Sequence, residues 1–151
     1  MTPTFSLPIR VYYEDTDAGG VVYHSHYLNF MERARTEWLR DMGFEQDELR
    51  RRDGVIFAVS AVSIDFLKPA RFNERLDVTV ALERRGAASL TMRQEVRRGG
   101  EVLAGAAVRI ACLDAGRFVP VAIPEYVVER VMARYGQDLL AGRKPTTKEP
   151  A

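Results

Sequence analysis

The sequence predicts an α+β domain in which one long amphipathic helix lies against one antiparallel sheet. Two observations carry that prediction. From about residue 25 to 42, Tyr27, Phe30, Met31, Ala34, Trp38 and Met42 recur at steps of three and four, the spacing of a single helical face. Beyond residue 55, β-branched apolar segments are separated by short turn signals, as in hairpin-linked strands. Strands joined by hairpins run antiparallel, and the apolar face of such a sheet needs a helix to cover it.

The elements follow in order. The β-branched and aromatic start FSLPIRVYYED predicts a first strand over about residues 5–13, and DTDAGG is a loop. The long helix runs from about Ser25 to Met42, with Ser25 placed to cap its start and Gly43 placed for a left-handed end. EQDELRRRDG (45–54) reads as a charged loop with at most a short helical turn, and VIFAVSAVSIDFL from Val55 as a long strand stopped before Pro69. Leu76, Val78, Val80 and Leu82 alternate with polar residues, and so do Leu90, Met92, Gln94 and Val96, which predicts two half-buried strands joined around Gly86. Gly99-Gly100 is a hairpin signal, and Val102 to Leu113 is the returning strand. After DAGR and FVPVAI, Pro124 suits the first turn of a closing helix whose stripe is Val127, Val131 and Tyr135, ending at Gly136. The domain is expected over residues 1–141, with the polar, proline-containing 142–151 as a disordered tail.

Composition narrows the function classes. The chain has 151 residues, enough for one domain with its own core, and a net charge of +1 that gives no reason to expect nucleic acid or an anionic membrane as partner. No stretch approaches the roughly 18 apolar residues of a membrane span, and MTPTFSLPIR lacks the basic-then-apolar order of a secretory signal. The single cysteine, Cys112, fits a reducing compartment, so a cytoplasmic setting is expected. Cys112 lies inside a strand and reads as a small buried hydrophobe rather than a nucleophile. There is no G-x-S-x-G, G-x-G-x-x-G or Walker sequence.

Chemistry concentrates in DTDAGGVVYHSHY (15–27), which holds both histidines of the chain, His24 and His26. An EF-hand alignment fails, because its twelfth position is His26 and not a bidentate glutamate. A transition-metal site is disfavoured too, since residues two apart diverge on a strand and on a helix. An acid–base reading survives. Asp17 follows the first strand, Gly19-Gly20 turn the chain, and the unpaired amides of a helix start form a hole for a developing oxyanion. A carboxylate facing such a hole can activate water or attack a reactive acyl carbon, which suits a thioester. The structural alternatives are an Asp17 that only closes its own turn, and histidines that only cap or pack. The Phe30/Met31/Trp38 stripe reads as core and Arg50–Arg52 as solvated loop.

YYEDTDAGGVVYHSHYLNFMERARTEWL resembles the N-terminal signature of the 4-hydroxybenzoyl-CoA thioesterase family of the hotdog superfamily, and is most similar to its Tol–Pal-associated (YbgC-type) acyl-CoA thioesterases. The matched pattern is Tyr13, Asp15, Asp17, Gly20, Val22 and Tyr23, then Glu32, Ala34 and Arg35 on the helix. VSIDFLKPARFNERLDV and IPEYVVERV extend the similarity over about residues 6–135. The resemblance implies a hotdog fold, working as a homodimer or homotetramer with the acyl site between subunits. It implies hydrolysis of an acyl-CoA without metal or organic cofactor, with Asp17 as nucleophile or general base and His24 as a participant. Gly20 and the amides at Tyr23 and His24 are expected to receive the thioester carbonyl, with Glu32 structural and His26 a capping or packing residue. The rival reading is a module that binds acyl-carrier protein or an envelope complex, with vestigial thioesterase activity. A hotdog hydratase is disfavoured, because the long helix shows no second site for it.

Overall fold

In the computed structural model, which describes residues 5–141, the long helix and the sheet predicted above form one layer against another. The elements are β1 (Phe5–Arg10), α1 (His24–Asp41), α2 (Gln46–Asp53), β2 (Val55–Phe66), β3 (Arg75–Arg85), β4 (Ser89–Arg98), β5 (Glu101–Asp114) and α3 (Glu125–Ala141). Every strand pairing is antiparallel, and the order across the sheet is β1-β3-β4-β5-β2. The polar segment 142–151 lies outside the described residues.

The face of α1 read from the sequence is the buried one: Phe30, Met31, Ala34 and Trp38 have no exposure at all. Against it lie Leu76, Val78 and Val80 of β3, Met92 and Val96 of β4, and Leu103 and Val108 of β5. Burying each large side chain of this kind contributes about 1.5–3 kcal/mol. The alternation that put Gln94 on the core face holds as well. Its amide donates to the Met31 carbonyl (3.1 Å) and the Thr79 carbonyl (3.3 Å), and its oxygen accepts from Arg35 Nη1 (2.9 Å). One fully buried polar side chain thereby ties α1 to two strands. Burial holds the Arg35 guanidinium below its usual pKa, partly offset by nearby Glu32.

Several boundaries differ from expectation, each for a local reason. β1 stops at Arg10, because the Asp15 carboxylate accepts the Tyr12 amide (2.8 Å) and draws 13–15 into a single 3-10 turn. Ser25 does not cap α1: the flanking residue is Tyr23, no side chain caps it, and Ser25 sits inside the first turn. Residues 46–53 form the two-turn helix α2, anchored by buried Leu49, with Asp47 and Glu48 in its first turn and arginines in its last. At the 99–100 hairpin only Gly99 adopts positive φ. FVPVAI adds one bridge, Leu113 to Pro120, and no strand. α3 continues through Gly136, because the Asp138 carboxylate accepts the Leu82 amide (3.0 Å) where β3 bulges between Leu82 and Arg84.

The sheet ends in two unlike edges. β1 is short and contains Pro8, which cannot donate to a new strand. β2 has 12 residues, and the consecutive run 59–63 is exposed, so both faces and the edge are open there. Val62 is 43% and Phe66 48% exposed. Among the described residues, no helix is long and apolar enough to cross a membrane.

Candidate active site

The junction between β1 and α1 is built from the backbone upward. Thr16 pairs with Val22, and the Asp17 amide donates to the Val21 carbonyl (2.9 Å), which closes the loop as a narrow hairpin. Gly20 sits at its tip with φ of 80°, a left-handed conformation that side chains disfavour. Gly19 serves a different need: a Cβ there would stand 3.2 Å from Asp17 Oδ1, the atom that accepts the Gly19 amide (2.8 Å). One glycine permits the turn, and the other lets the backbone approach the carboxylate. The loop is pinned below by the Val22 amide to the Ala70 carbonyl (2.8 Å) and by a Val21–Arg71 bridge. The Ala70 amide in turn donates to the buried Tyr27 hydroxyl (3.0 Å).

Asp17 lies exposed on this loop, with one oxygen held by the Gly19 amide. His24 opens α1 and is exposed, its ring 4.4 Å from that of Tyr23 and edge-on to Phe66 at 6.3 Å. Asp17, Gly20, Tyr23 and His24 thus share one exposed rim, although no hydrogen bond joins Asp17 to His24 among the described residues. The helix start corrects one detail: the Tyr23 amide already donates to the Asp15 carbonyl (2.8 Å) and is not free for a ligand. The His26 amide donates to the Tyr23 carbonyl (2.9 Å). That leaves the His24 and Ser25 amides heading the helix, with the positive end of its dipole behind them. Tyr23 presents its half-exposed ring instead.

His26, expected only to cap or pack, is bonded to a buried acid. Its Nδ1 lies 2.9 Å from Asp15 Oδ1, and Asp15 is only 4% exposed. The contact follows from the loop's pairing: with Thr16 opposite Val22, Asp15 lies beside the first turn of the helix. Cys112 is wholly buried, and burial pushes its thiol pKa up, which leaves it inert.

A long helix laid on an antiparallel sheet, with an exposed aspartate on the loop that leads into it, defines the class as an α+β protein. The chain belongs to the Thioesterase-like superfamily, which it matches over residues 11–131, and its fold is the hotdog fold. It is 44% identical over 123 residues to the acyl-CoA thioesterase YbgC of Haemophilus influenzae, covering 82% of this chain and 90% of that protein. It is 39% identical over 128 residues to the acyl-CoA thioester hydrolase YbgC of Escherichia coli O6:H1, covering 84% and 95%. Among solved structures, a probable thioesterase from Bartonella henselae superposes with a TM-score of 0.78 at 35% identity, covering 81% of this chain and all of that one.

Proposed function

We propose that this chain hydrolyses acyl-CoA thioesters, with Asp17 as the reacting carboxylate. The observation that carries the reading is an exposed aspartate, held by a two-glycine hairpin, beside the uncapped start of an 18-residue helix. Similarity to relatives named acyl-CoA thioesterases supplies the substrate class. Asp17 either attacks the acyl carbon or takes a proton from the water that does. In both routes negative charge grows on the carbonyl oxygen, and the His24 and Ser25 amides face it. In the general-base route the C–S bond then breaks, the proton Asp17 took from water passes to the thiolate of CoA, and the acid is released. In the nucleophilic route C–S cleavage leaves a mixed anhydride on Asp17. Water hydrolyses it to free the acid and restore the carboxylate, with the proton from water going to the thiolate. The rings of Tyr23 and His24 wall the approach, and Gly20 keeps the loop tip open. The step needs neither metal nor organic cofactor.

The working form is a homodimer, or a tetramer of two dimers, built through β2. A 12-residue free edge with exposed Val59, Val62 and Phe66 supports this, because open apolar edges recruit further strands. Antiparallel pairing of two β2 edges about their middle sets Phe66 of one copy, and the His24 ring against it, opposite Val55 of the other, with Phe57 the diagonal neighbour. Next to Phe57 a cavity of about 460 Å3 lies between α1 and β2; Leu39, Phe57, Val59 and Ile110 give it an apolar side for an acyl group, and Glu32, Arg35 and Gln46 a polar one. A cytoplasmic setting and a Tol–Pal association belong to the same proposal and rest on the sequence reading alone.

The test is thiol release by the purified chain from short, long and aromatic acyl-CoAs. Buried Cys112 contributes little to a thiol reagent's background. Turnover of at least one of them is expected, together with a dimer or tetramer mass by light scattering. Tight binding of acyl-carrier protein with no thiol release from any acyl-CoA would favour the interaction module instead.

A further inference from the structure

The Asp15–His26 contact has no role in the chemistry above, yet it is the best-partnered polar feature of the junction. Asp15 is nearly inaccessible, and each of its acceptors is used. Oδ2 takes the Tyr12 amide (2.8 Å) at the exit from β1, and the carbonyl takes the Tyr23 amide (2.8 Å) at the helix start. Oδ1 meets His26 Nδ1 (2.9 Å), one residue into the helix beyond Ser25. With the Asp15 oxygen as acceptor, Nδ1 of the imidazole is the donor in this pair.

We propose that His26 is a positioning residue, which through Asp15 sets the rotation of the first turn of α1 and thereby the aim of the His24 and Ser25 amides. This inference rests on the thioesterase reading of the site. The reason is geometric. The buried stripe of Tyr27, Phe30, Met31, Ala34 and Trp38 fixes the roll of the helix as a whole, but the uncapped residues ahead of it, His24–His26, have the bond from Tyr23 N–H to Asp15 O as their backbone anchor. A second attachment to the same residue, from the His26 side chain, fixes how that first turn is set. Both attachments converge on Asp15, two residues before Asp17, so carboxylate and amides are held to one reference point. A misplacement of about 1 Å in such an arrangement can cost on the order of 100-fold in rate. The imidazole also stands edge-on to the Tyr23 ring (6.5 Å), which steadies the wall of the rim.

The experiment compares the full chain with His26→Ala, His26→Leu and His26→Asn. Steady-state hydrolysis of the best acyl-CoA from the panel is measured together with thermal melts. The Asn amide reaches Asp15 from about the position of imidazole Nδ1 and donates as it does, whereas Leu fills space without a donor. Ala and Leu are expected to lower kcat about 10-fold with KM within about twofold, while the variants remain folded at assay temperature; Asn is expected to restore most of kcat. In parallel, the Ser25 and Gly19 amide resonances should shift in the Leu variant and return in the Asn variant. Wild-type kcat in the Leu variant, or an Asn variant as slow as the Leu one, would overturn the proposal. If the wild type itself releases no thiol, the function is at fault. The amide resonances then decide the positioning role alone: unmoved peaks in the Leu variant refute it.

Discussion

The two ends of α1 meet the same physical problem and answer it in opposite ways. Every helix leaves unpaired amides at its start and unpaired carbonyls at its end. At the C-terminal end the protein satisfies them. Gly43, left-handed at φ 91°, donates to the Arg40 carbonyl (2.9 Å), Phe44 donates to Leu39 (3.0 Å), and Arg130 Nη1 closes on Met42 (2.7 Å). Met42 and Phe44 are buried over this cap, and the Arg130 guanidinium lies over the Phe44 ring. At the N-terminal end no side chain caps the helix, and His24 and Ser25 are exposed. A sealed end serves stability. An end left open beside a carboxylate stays available to a ligand, and gives up the roughly 1 kcal/mol that a cap contributes.

That contrast is broken most forcefully from the sealed side. Trp38→Ala, in the fully buried stripe near the C-terminal end, should cost about 3–5 kcal/mol of stability. A chain of this size then melts about 10 °C lower. Assayed well below that temperature, the variant should keep kcat within about twofold, since the open end is remote from the void created; any change should fall on KM, because neighbouring Thr36 and Leu39 line the proposed acyl cavity. Loss of turnover without unfolding would mean that the two ends are coupled.

Capping the open end sharpens the contrast. Tyr23→Asp places a carboxylate where it can accept the Ser25 or His26 amide, and should raise stability in urea by about 1 kcal/mol. The same substitution should lower kcat, because it occupies an amide meant for the oxyanion and sets a negative charge beside it. A variant that gained stability and kept its turnover would show that these amides are not used.

The smallest effect is a pH dependence on the sealed side. Burial, helped by the hydrogen bond it donates to Asp41 (3.1 Å), pushes the Tyr135 phenol up to about 12. A folded pKa above the unfolded value of about 10 stabilises the fold fully below pH about 10, and that contribution is lost as pH rises through about 12. Melts across that window should fall more steeply for the wild type than for Tyr135→Phe, while kcat below pH 9 should be the same for both.

What could be read from the sequence follows from how local each cause is. The α1 stripe, the 99–100 hairpin and the inward Gln94 were legible because periodicity and turn chemistry act over a few residues. α2 was not, because its one buried apolar residue, Leu49, makes no stripe. The extension of α3 past Gly136 depends on Asp138 reaching the Leu82 amide, a contact 56 residues apart in sequence. At the site, Asp17 stood out by its loop and its glycines. The use of the Tyr23 amide and the partner of His26 both depend on Asp15, whose burial no local pattern announced.

The central claim is that the open end works through Asp17, and Asp17→Asn tests it most directly. Asparagine keeps an oxygen that can accept the Gly19 amide, so the loop should hold its shape and the melting temperature should not change. With the carboxylate gone, kcat for thioester hydrolysis should fall by about 100- to 10,000-fold. Turnover within a few-fold of wild type, by a variant that melts normally, would contradict the account.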